Sequence, residues 1–429
     1  MKGLNKLLLI IVVTLAVAVP AQADTDIKVS GQVRLREQFE DKSFDTSAAG
    51  NQFADMRTRI GVEATIDDNA HGFVQFQDSR MAGGYTFFGE PTSGQLNDGK
   101  NVDLHQAFIQ IDNIFGEGWG GKAGRFEFSH GNERVFGPVG WDNVGRSWEG
   151  IMFWNDRPDF RVTGFWLKAL ELQSSAYNRD FDIFGLYGNI RAMENCNFDL
   201  FGFYEYDADT NGYATGISQL DRINLGLYYQ RTYQQFDFEM NGVYQFGTIP
   251  TRKPLWFGDT VKTEWDIAAF MFAFEAGYSF VGPSNARIAA GIDYSSGDDG
   301  SDTTKFKAYQ NSYYTGHKFR GYMDYFVSSN TPGLMDLMLR GKVDPTPGWT
   351  VRGDLHYFMT AEDYISPIDT SATTDVGIEF DLTVSTTRVA GVNLDVGASI
   401  FLPEEAFAGM KDPDPGFWVW SMATLNFGQ

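Results

Sequence analysis

The stretch Asp375-Val376-Gly377-Ile378-Glu379-Phe380-Asp381-Leu382-Thr383-Val384 alternates polar and apolar side chains without a break, apart from the neutral Gly377. Successive side chains of an extended chain point to opposite faces, so this pattern predicts a β-strand with one oily and one polar face. Val392 to Ile400 repeats the pattern, with Leu394, Val396 and Ala398 opposite Asn393, Asp395, Gly397 and Ser399. Phe236 to Phe246 does so again, setting Phe238, Met240, Tyr244 and Phe246 against Asp237, Glu239, Asn241 and Gln245. Helical stripes are nearly absent. A soluble β-sandwich also alternates, so the connections between strands decide the fold.

The two-residue period predicts eighteen strands, at 27–40, 56–67, 72–80, 102–112, 120–129, 147–155, 159–168, 181–190, 197–207, 221–232, 236–246, 266–280, 286–294, 333–343, 348–359, 375–385, 391–401 and 417–427. A tilted strand needs about 9–11 residues to cross a bilayer, and these suffice. Tight turns such as Asp68-Asn69-Ala70-His71, Asp156-Arg157-Pro158 and Asp344-Pro345-Thr346-Pro347 follow the even strands. Long segments, 41–55, 81–101, 130–146, 169–180, 208–220, 247–265, 295–332, 360–374 and 402–416, follow the odd ones. A soluble domain has no reason to keep its long loops at one end. A bacterial outer-membrane barrel does, with short periplasmic turns, long extracellular loops and an even strand count. The fold class is therefore all-β: a transmembrane antiparallel β-barrel of about eighteen strands, whose closure removes the sheet edges that lipid would not tolerate.

Composition agrees. The 429 residues include 47 Gly, 37 Phe, 19 Tyr and 10 Trp. After the first two dozen positions there is no run of about 20 apolar residues, which excludes a helical membrane protein. The net charge of −22 opposes nucleic-acid binding. Cys196 is the single cysteine, so no disulfide forms within the chain. Met1 to Ala23 reads as a cleaved secretory signal, with Lys2 and Lys6 before an apolar core and Ala21-Gln22-Ala23 as the cleavage site; an uncleaved anchor is the alternative. Residues 24–429 then form a single barrel domain. Trp154, Trp166, Tyr187, Tyr204, Tyr206, Tyr229, Tyr244, Phe246, Tyr278, Phe280, Trp349, Tyr357, Phe417, Trp418 and Trp420 fall near strand ends, where interfacial girdles are expected. The last strand ends on Phe427, two residues short of the terminus.

Strand parity predicts the pore lining. If Val33 and Leu35 face lipid, Arg34 and Arg36 face the lumen, and the same reasoning turns Arg57 and Arg59 inward. Arg125, Arg161, Arg222, Arg287, Arg340 and Arg352 are assigned likewise. An arginine facing lipid at the midplane would cost about 2–4 kcal/mol. The inward acidic set is Asp199, Glu205, Asp237, Glu239, Glu275, Asp293, Asp354, Glu379, Asp381 and Asp395. The basic residues concentrate on early strands and the acidic ones on later strands, which predicts a field across the pore. Alternatively the arginines simply pair with carboxylates inside a crowded barrel.

Two loops carry further expectations. Segment 130–146, with Arg134, Trp141 and Arg146, either folds inward as a constriction or caps the rim. Asp298, Asp299 and Asp302 crowd a glycine-rich stretch where Ca²⁺ could bind, although the spacing is not that of an EF-hand and a solvated acidic tip explains it as well. No other cofactor is implied.

Three stretches resemble the alginate export family of outer-membrane channels. The first comprises Arg34-Leu35-Arg36, Arg57-Thr58-Arg59 and Phe76-Gln77-Asp78-Ser79-Arg80. The most specific is Gly124-Arg125-Phe126-Glu127-Phe128-Ser129-His130-Gly131-Asn132-Glu133-Arg134-Val135-Phe136-Gly137, running on through Trp141-Asp142-Asn143 to Gly150. The third is Asp293-Tyr294-Ser295-Ser296-Gly297-Asp298-Asp299-Gly300 followed by Thr315-Gly316-His317-Lys318-Phe319-Arg320-Gly321-Tyr322-Met323-Asp324-Tyr325-Phe326. The resemblance implies an eighteen-stranded barrel that passes an anionic polysaccharide through an arginine-lined pore.

Three classes of function compete. A passive channel for hydrophilic, charged solutes or an anionic polysaccharide accounts for strands, loops and signal together. A barrel hydrolase would need a nucleophile and base, yet no Gly-x-Ser-x-Gly or comparable signature frames His71, His105, His130, His317 or His356. A structural sheath could enclose a multihaem cytochrome, but the chain has no Cys-x-x-Cys-His of its own. The expected partners are outer-membrane lipid and lipopolysaccharide, the solute, and the barrel-assembly machinery during insertion. No nucleic-acid partner is expected, and the barrel is expected to be monomeric.

Overall fold

The computed structural model describes residues 25–428 except 46, 48, 83–101, 172–179, 192–193, 208–219, 251–263 and 303. Residues 1–23, expected as a signal sequence, lie outside the described residues. Strands form at β1 (Thr25–Asp41), β2 (Asn51–Ile66), β3 (Ala70–Met81), β4 (Asp103–Asp112), β5 (Trp119–Phe126), β6 (Trp148–Asp156), β7 (Phe160–Leu170), β8 (Phe181–Ile190), β9 (Cys196–Asp207), β10 (Leu220–Tyr233), β11 (Phe236–Pro250), β12 (Glu264–Ser279), β13 (Arg287–Ser295), β14 (Lys305–Phe306), β15 (Leu334–Val343), β16 (Trp349–Ile365), β17 (Ala372–Val389), β18 (Val392–Pro403) and β19 (Gly416–Phe427). Only β14, two residues inside a loop that pair in parallel with β12, is not part of the wall. The other eighteen pair antiparallel with their neighbours in sequence order. The ring closes where Gly31 to Asp41 of β1 pair with Phe427 to Phe417 of β19. Every predicted strand is present.

The outward face is the oily one. Ile27, Val29 and Leu35 on β1, Ile60, Val62 and Ile66 on β2, and Ile378, Phe380 and Leu382 on β17 are all exposed. In a bilayer these side chains meet lipid tails. Short turns and long connections alternate around the ring, with one departure. The segment expected as a long loop at 360–374 is mostly strand, because β16 runs to Ile365 and β17 starts at Ala372. Tyr364 pairs with Thr373 and Ile365 with Ala372, which carries the β16–β17 ladder into the expected loop.

The stretch 375–384 contains a second departure. Val376 is 1% exposed and packs inward, although its parity placed it beside Ile378. The pairing of β16 with β17 slips between Phe358 and Met359, where Gly377 faces Phe358 and Asp375 faces Met359. Gly377 has φ +153, and a Cβ there would stand 2.5 Å from the Leu402 carbonyl oxygen. This bulge inserts one residue and turns Val376 to the lumen.

The lumen is not empty. Segments 127–147 and 296–333, which follow β5 and β13, fold into it. Phe128, Phe136, Tyr309 and Tyr313 of these loops pack against inward-facing Phe165, Leu167, Ile183 and Phe203. Met323 and Phe326 pack against Phe358, Phe401, Trp418 and Trp420. Burying one such ring contributes about 1.5–3 kcal/mol, so the loops hold to the wall by a core of their own. Part of the aromatic excess is therefore inside the barrel. Trp154, Tyr187, Trp418 and Trp420, expected at the membrane rims, are 7%, 7%, 2% and 4% exposed and point into the lumen. Tyr244, Phe280, Trp349 and Phe417 do lie exposed on the outside.

Candidate functional site: the barrel lumen

Register brings the early arginines together. Arg34 of β1 stands opposite Arg57 of β2, with Arg36 and Arg59 on the same inward rows. Like charges directly opposed across a ladder repel, and the 127–147 loop relieves this. Its Gly140 carbonyl accepts from Arg34 Nη1 at 3.0 Å and from Arg57 Nη1 at 3.1 Å. The Asp142 carbonyl accepts from the same two side chains at 3.0 and 2.8 Å. Arg57 is completed by Gln32 Oε1 at 2.8 Å, so its contacts and those of Arg34 are to carbonyl and amide oxygens. Arg36 pairs with buried Asp55 at 2.8 Å and covers the Trp141 ring at 4.4 Å. Arg59 pairs with Glu127 at 3.0 Å, and His105 reaches the same carboxylate oxygen at 2.8 Å.

The later arginines sit among acids. Glu205 holds Arg222 through two bonds of 2.6 and 2.7 Å and also accepts from Asn224 and from Tyr313 Oη at 2.7 and 2.6 Å. Arg287 bonds Asp237 at 3.0 Å and Glu275 at 2.8 Å, and Arg340 reaches Glu275 at 3.3 Å. Arg161 pairs with Asp156 at 3.2 Å and lies over Trp154. Asp199 accepts from Tyr187, and Glu239 from Tyr228 and Asn132. Asp354 faces Arg340 across the ladder, Arg352 faces Lys342, and Asp395 faces Met422.

Arg125 is a correction. Phe126 and Lys122 share the inward face of β5, with the Lys122 ammonium 4.2 Å from the Phe108 ring centre and 5.8 Å from that of Phe126. Arg125, between them in sequence, points outward and pairs with Glu149. Glu149 stands opposite Lys168, and Lys168 opposite Asp182, giving a charged row on the outer surface at the long-loop end.

Both loops are tied to acids on the far wall. Arg134 pairs with Asp293, and Arg320 Nε lies 3.8 Å from the same carboxylate. Arg146 donates to the carbonyl of Tyr313, joining one loop to the other. Trp141 stacks on His317 at 4.2 Å, and His317 on Tyr322 at 5.1 Å. The backbone N–H groups of Tyr322 and Met323 donate to Asp381 and Glu379 at 3.3 and 2.8 Å. His356 bonds Asp336 at 2.8 Å on the same wall. Burial pushes the His130 ring down to about 3, and burial with the nearby Asp324 raises the Asp142 carboxyl. Parity placed Asp293 inward but could not find its loop partners Arg134 and Arg320, nor Glu127 or the aromatic contacts. The one signal was the density of Tyr and Phe between 309 and 326, unusual for a solvated loop.

Asp298, Asp299 and Asp302 do not converge. Asp298 accepts from the backbone N–H groups of Gly300 and Lys307, Asp299 from Ser301, and Asp302 from Thr304. Each carboxylate holds its own turn, and among the described residues no group of three acids, histidines or cysteines is placed to hold a metal ion.

Solved structures share the barrel. The crystal structure of OccK8 (OprE) from Pseudomonas aeruginosa superposes with a TM-score of 0.59 at 13% identity, covering 94% of this chain and 98% of that one. OccAB4 from Acinetobacter baumannii gives 0.59 at 10% identity over 95% and 100%. OccK2 (OpdF) from P. aeruginosa in complex with glucuronate gives 0.55 at 11% identity over 94% and 98%. No curated protein sequence matches the chain. At these identities the likeness is one of fold. The family rests on the sequence: the alginate export model matches residues 26–413. This eighteen-stranded, porin-like outer-membrane channel belongs to the alginate export family.

Proposed function

We propose that the channel passes hydrophilic solutes by diffusion, with a preference for anions or an anionic polysaccharide, through a lumen divided into a basic and an acidic wall. The observation that carries this is the facing pair Arg34 and Arg57, whose partners are carbonyl and amide oxygens and leave their positive charge uncancelled. On the later strands Arg222, Arg287 and Arg340 are offset by Glu205, Asp237 and Glu275. Rings and walls of fixed charge select the ions that enter a pore. Glucuronate in complex with OccK2 is a carboxylated sugar of the class such a wall would favour. A lumen packed with the chain's own loops leaves little room for an enclosed cytochrome, which favours a channel over a sheath. The barrel acts as a monomer among outer-membrane lipid and lipopolysaccharide.

Reversal potentials across planar bilayers under a salt gradient test this reading. Anion preference should fall in Arg57→Gln and fall further with Arg59→Gln. Unchanged selectivity in the double variant would refute the basic wall as the selective element.

A further inference from the structure

Glu379 and Asp381, two residues apart on the inward row of β17, are 0% and 1% exposed and take no part in the basic wall. We infer that Glu379 and Asp381 together hold one proton while loop 296–333 is docked, and that rising pH releases the loop by removing it. Three observations support this.

The first is a shortage of positive charge. Among the described residues no lysine or arginine forms an ion pair with either carboxyl. One titratable base approaches: His356 of β16, whose Nε2 lies 3.9 Å from Asp381 while its Nδ1 is held by Asp336 of β15 at 2.8 Å. Arg340 of β15 faces Asp354 of β16 and reaches Glu275 at 3.3 Å. From β18 only the Ser399 hydroxyl meets Asp381. The loop side brings Tyr322, Tyr325 and Asp324, the last bound to His317 at 2.9 Å. Two carboxylates in contact, sealed from water and short of cations, cannot both stay ionised.

The second is the contact between the two carboxyls. They lie within hydrogen-bonding reach of each other, yet two carboxylate ions have no donor to share. Glu379 Oε2 receives no hydrogen bond from any protein donor. A proton supplies the missing donor and needs no cavity to do so.

The third is what covers the pair. The backbone of loop 296–333 sits directly on it: Met323 N–H donates to Glu379 Oε1 at 2.8 Å and Tyr322 N–H to Asp381 Oδ2 at 3.3 Å. Gly321, at φ +75, approaches so closely that a Cβ there would stand 2.6 Å from Glu379 Oε1. Undocking gives both carboxyls to water, where each ionises above about 4. The docked loop therefore binds a proton that the undocked loop releases. Docking is full in acid and weakens by up to about tenfold per pH unit as pH rises.

Two measurements on the full-length barrel in lipid vesicles test this, and neither depends on conduction. In Glu379→Gln and in Asp381→Asn an amide N–H replaces the proton as donor between the two side chains. Infrared spectra at neutral pH should therefore lose one component of the protonated-carboxyl carbonyl band in each variant. Protease cleavage within 296–333 should climb about five- to tenfold per pH unit from neutral into the alkaline range in the parent, relative to either variant at the same pH. The comparison cancels the protease's own pH profile, and where one variant fails to insert the other serves. A carbonyl band unchanged in both variants, or cleavage whose pH dependence is the same in parent and variants, would overturn the assignment. Loss of anion selectivity with this pH dependence intact would bear on the basic wall alone.

Discussion

Glu205 shows how single residues hold the plugged lumen. It is 1% exposed and accepts from Arg222, Asn224 and the loop residue Tyr313. Removing one partner of a buried pair costs about 3–5 kcal/mol because the other charge is left uncompensated. Glu205→Ala should therefore lower barrel stability by about that amount in urea unfolding from lipid vesicles, and should loosen loop 296–333 because Tyr313 loses its acceptor. His130 gives a pH dependence with a definite sign. Burial holds its ring at about 3 against an ordinary 6.5, so the undocked loop binds a proton that the docked loop refuses. Docking of 127–147 is then full above about 6.5 and weakens as pH falls towards 3. Asp142, raised by burial, acts in the opposite sense. The contrast between the parent and His130→Phe isolates the histidine, and the variant should lose the acid-induced rise in protease cleavage within the loop. At this scale parity found Arg34, Arg36, Arg57 and Arg59 because the apolar residues beside them, Val33, Leu35, Met56 and Ile60, mark the outward rows. It failed at Arg125, whose neighbours Gly124 and Phe126 gave no polar-apolar contrast to read.

At the scale of elements, β-strands were legible because the lipid face demands apolar side chains at every second position. Their pairing order followed from the alternation of short and long connections. The bulge at Gly377 was not legible, since it depends on the close approach of the Leu402 carbonyl from the next strand. Gly377→Val should push these strands apart and slow insertion or lower the unfolding temperature, as read by heat-modifiable gel mobility. The inward course of loops 127–147 and 296–333 was equally hidden. Trp141 joins them, stacked on His317 and set edge-on to Trp420 at 4.9 Å. Trp141 is half-buried against this aromatic cluster, so Trp141→Ala should release the loop pair while the wall remains folded. Protease nicking confined to 127–147 and 296–333, with unchanged β-circular dichroism, is the expected result.

The whole molecule is a closed wall around a second, smaller core. The wall is fixed by lipid outside and by register at the β1–β19 seam, while the inner core is fixed by aromatic rings that the loops bring with them. The two sets of contacts are separate, so the loops can yield without the wall yielding. The sequence pattern led to the wall because lipid imposes a period on it; no such period governs the contents of the lumen. Whether this barrel conducts is decided by single-channel recording in planar lipid bilayers. Stable, discrete conductance steps are expected from the purified barrel, with more frequent or larger openings in Trp141→Ala. A correctly folded barrel that stays electrically silent both as the parent and as Trp141→Ala would contradict that expectation.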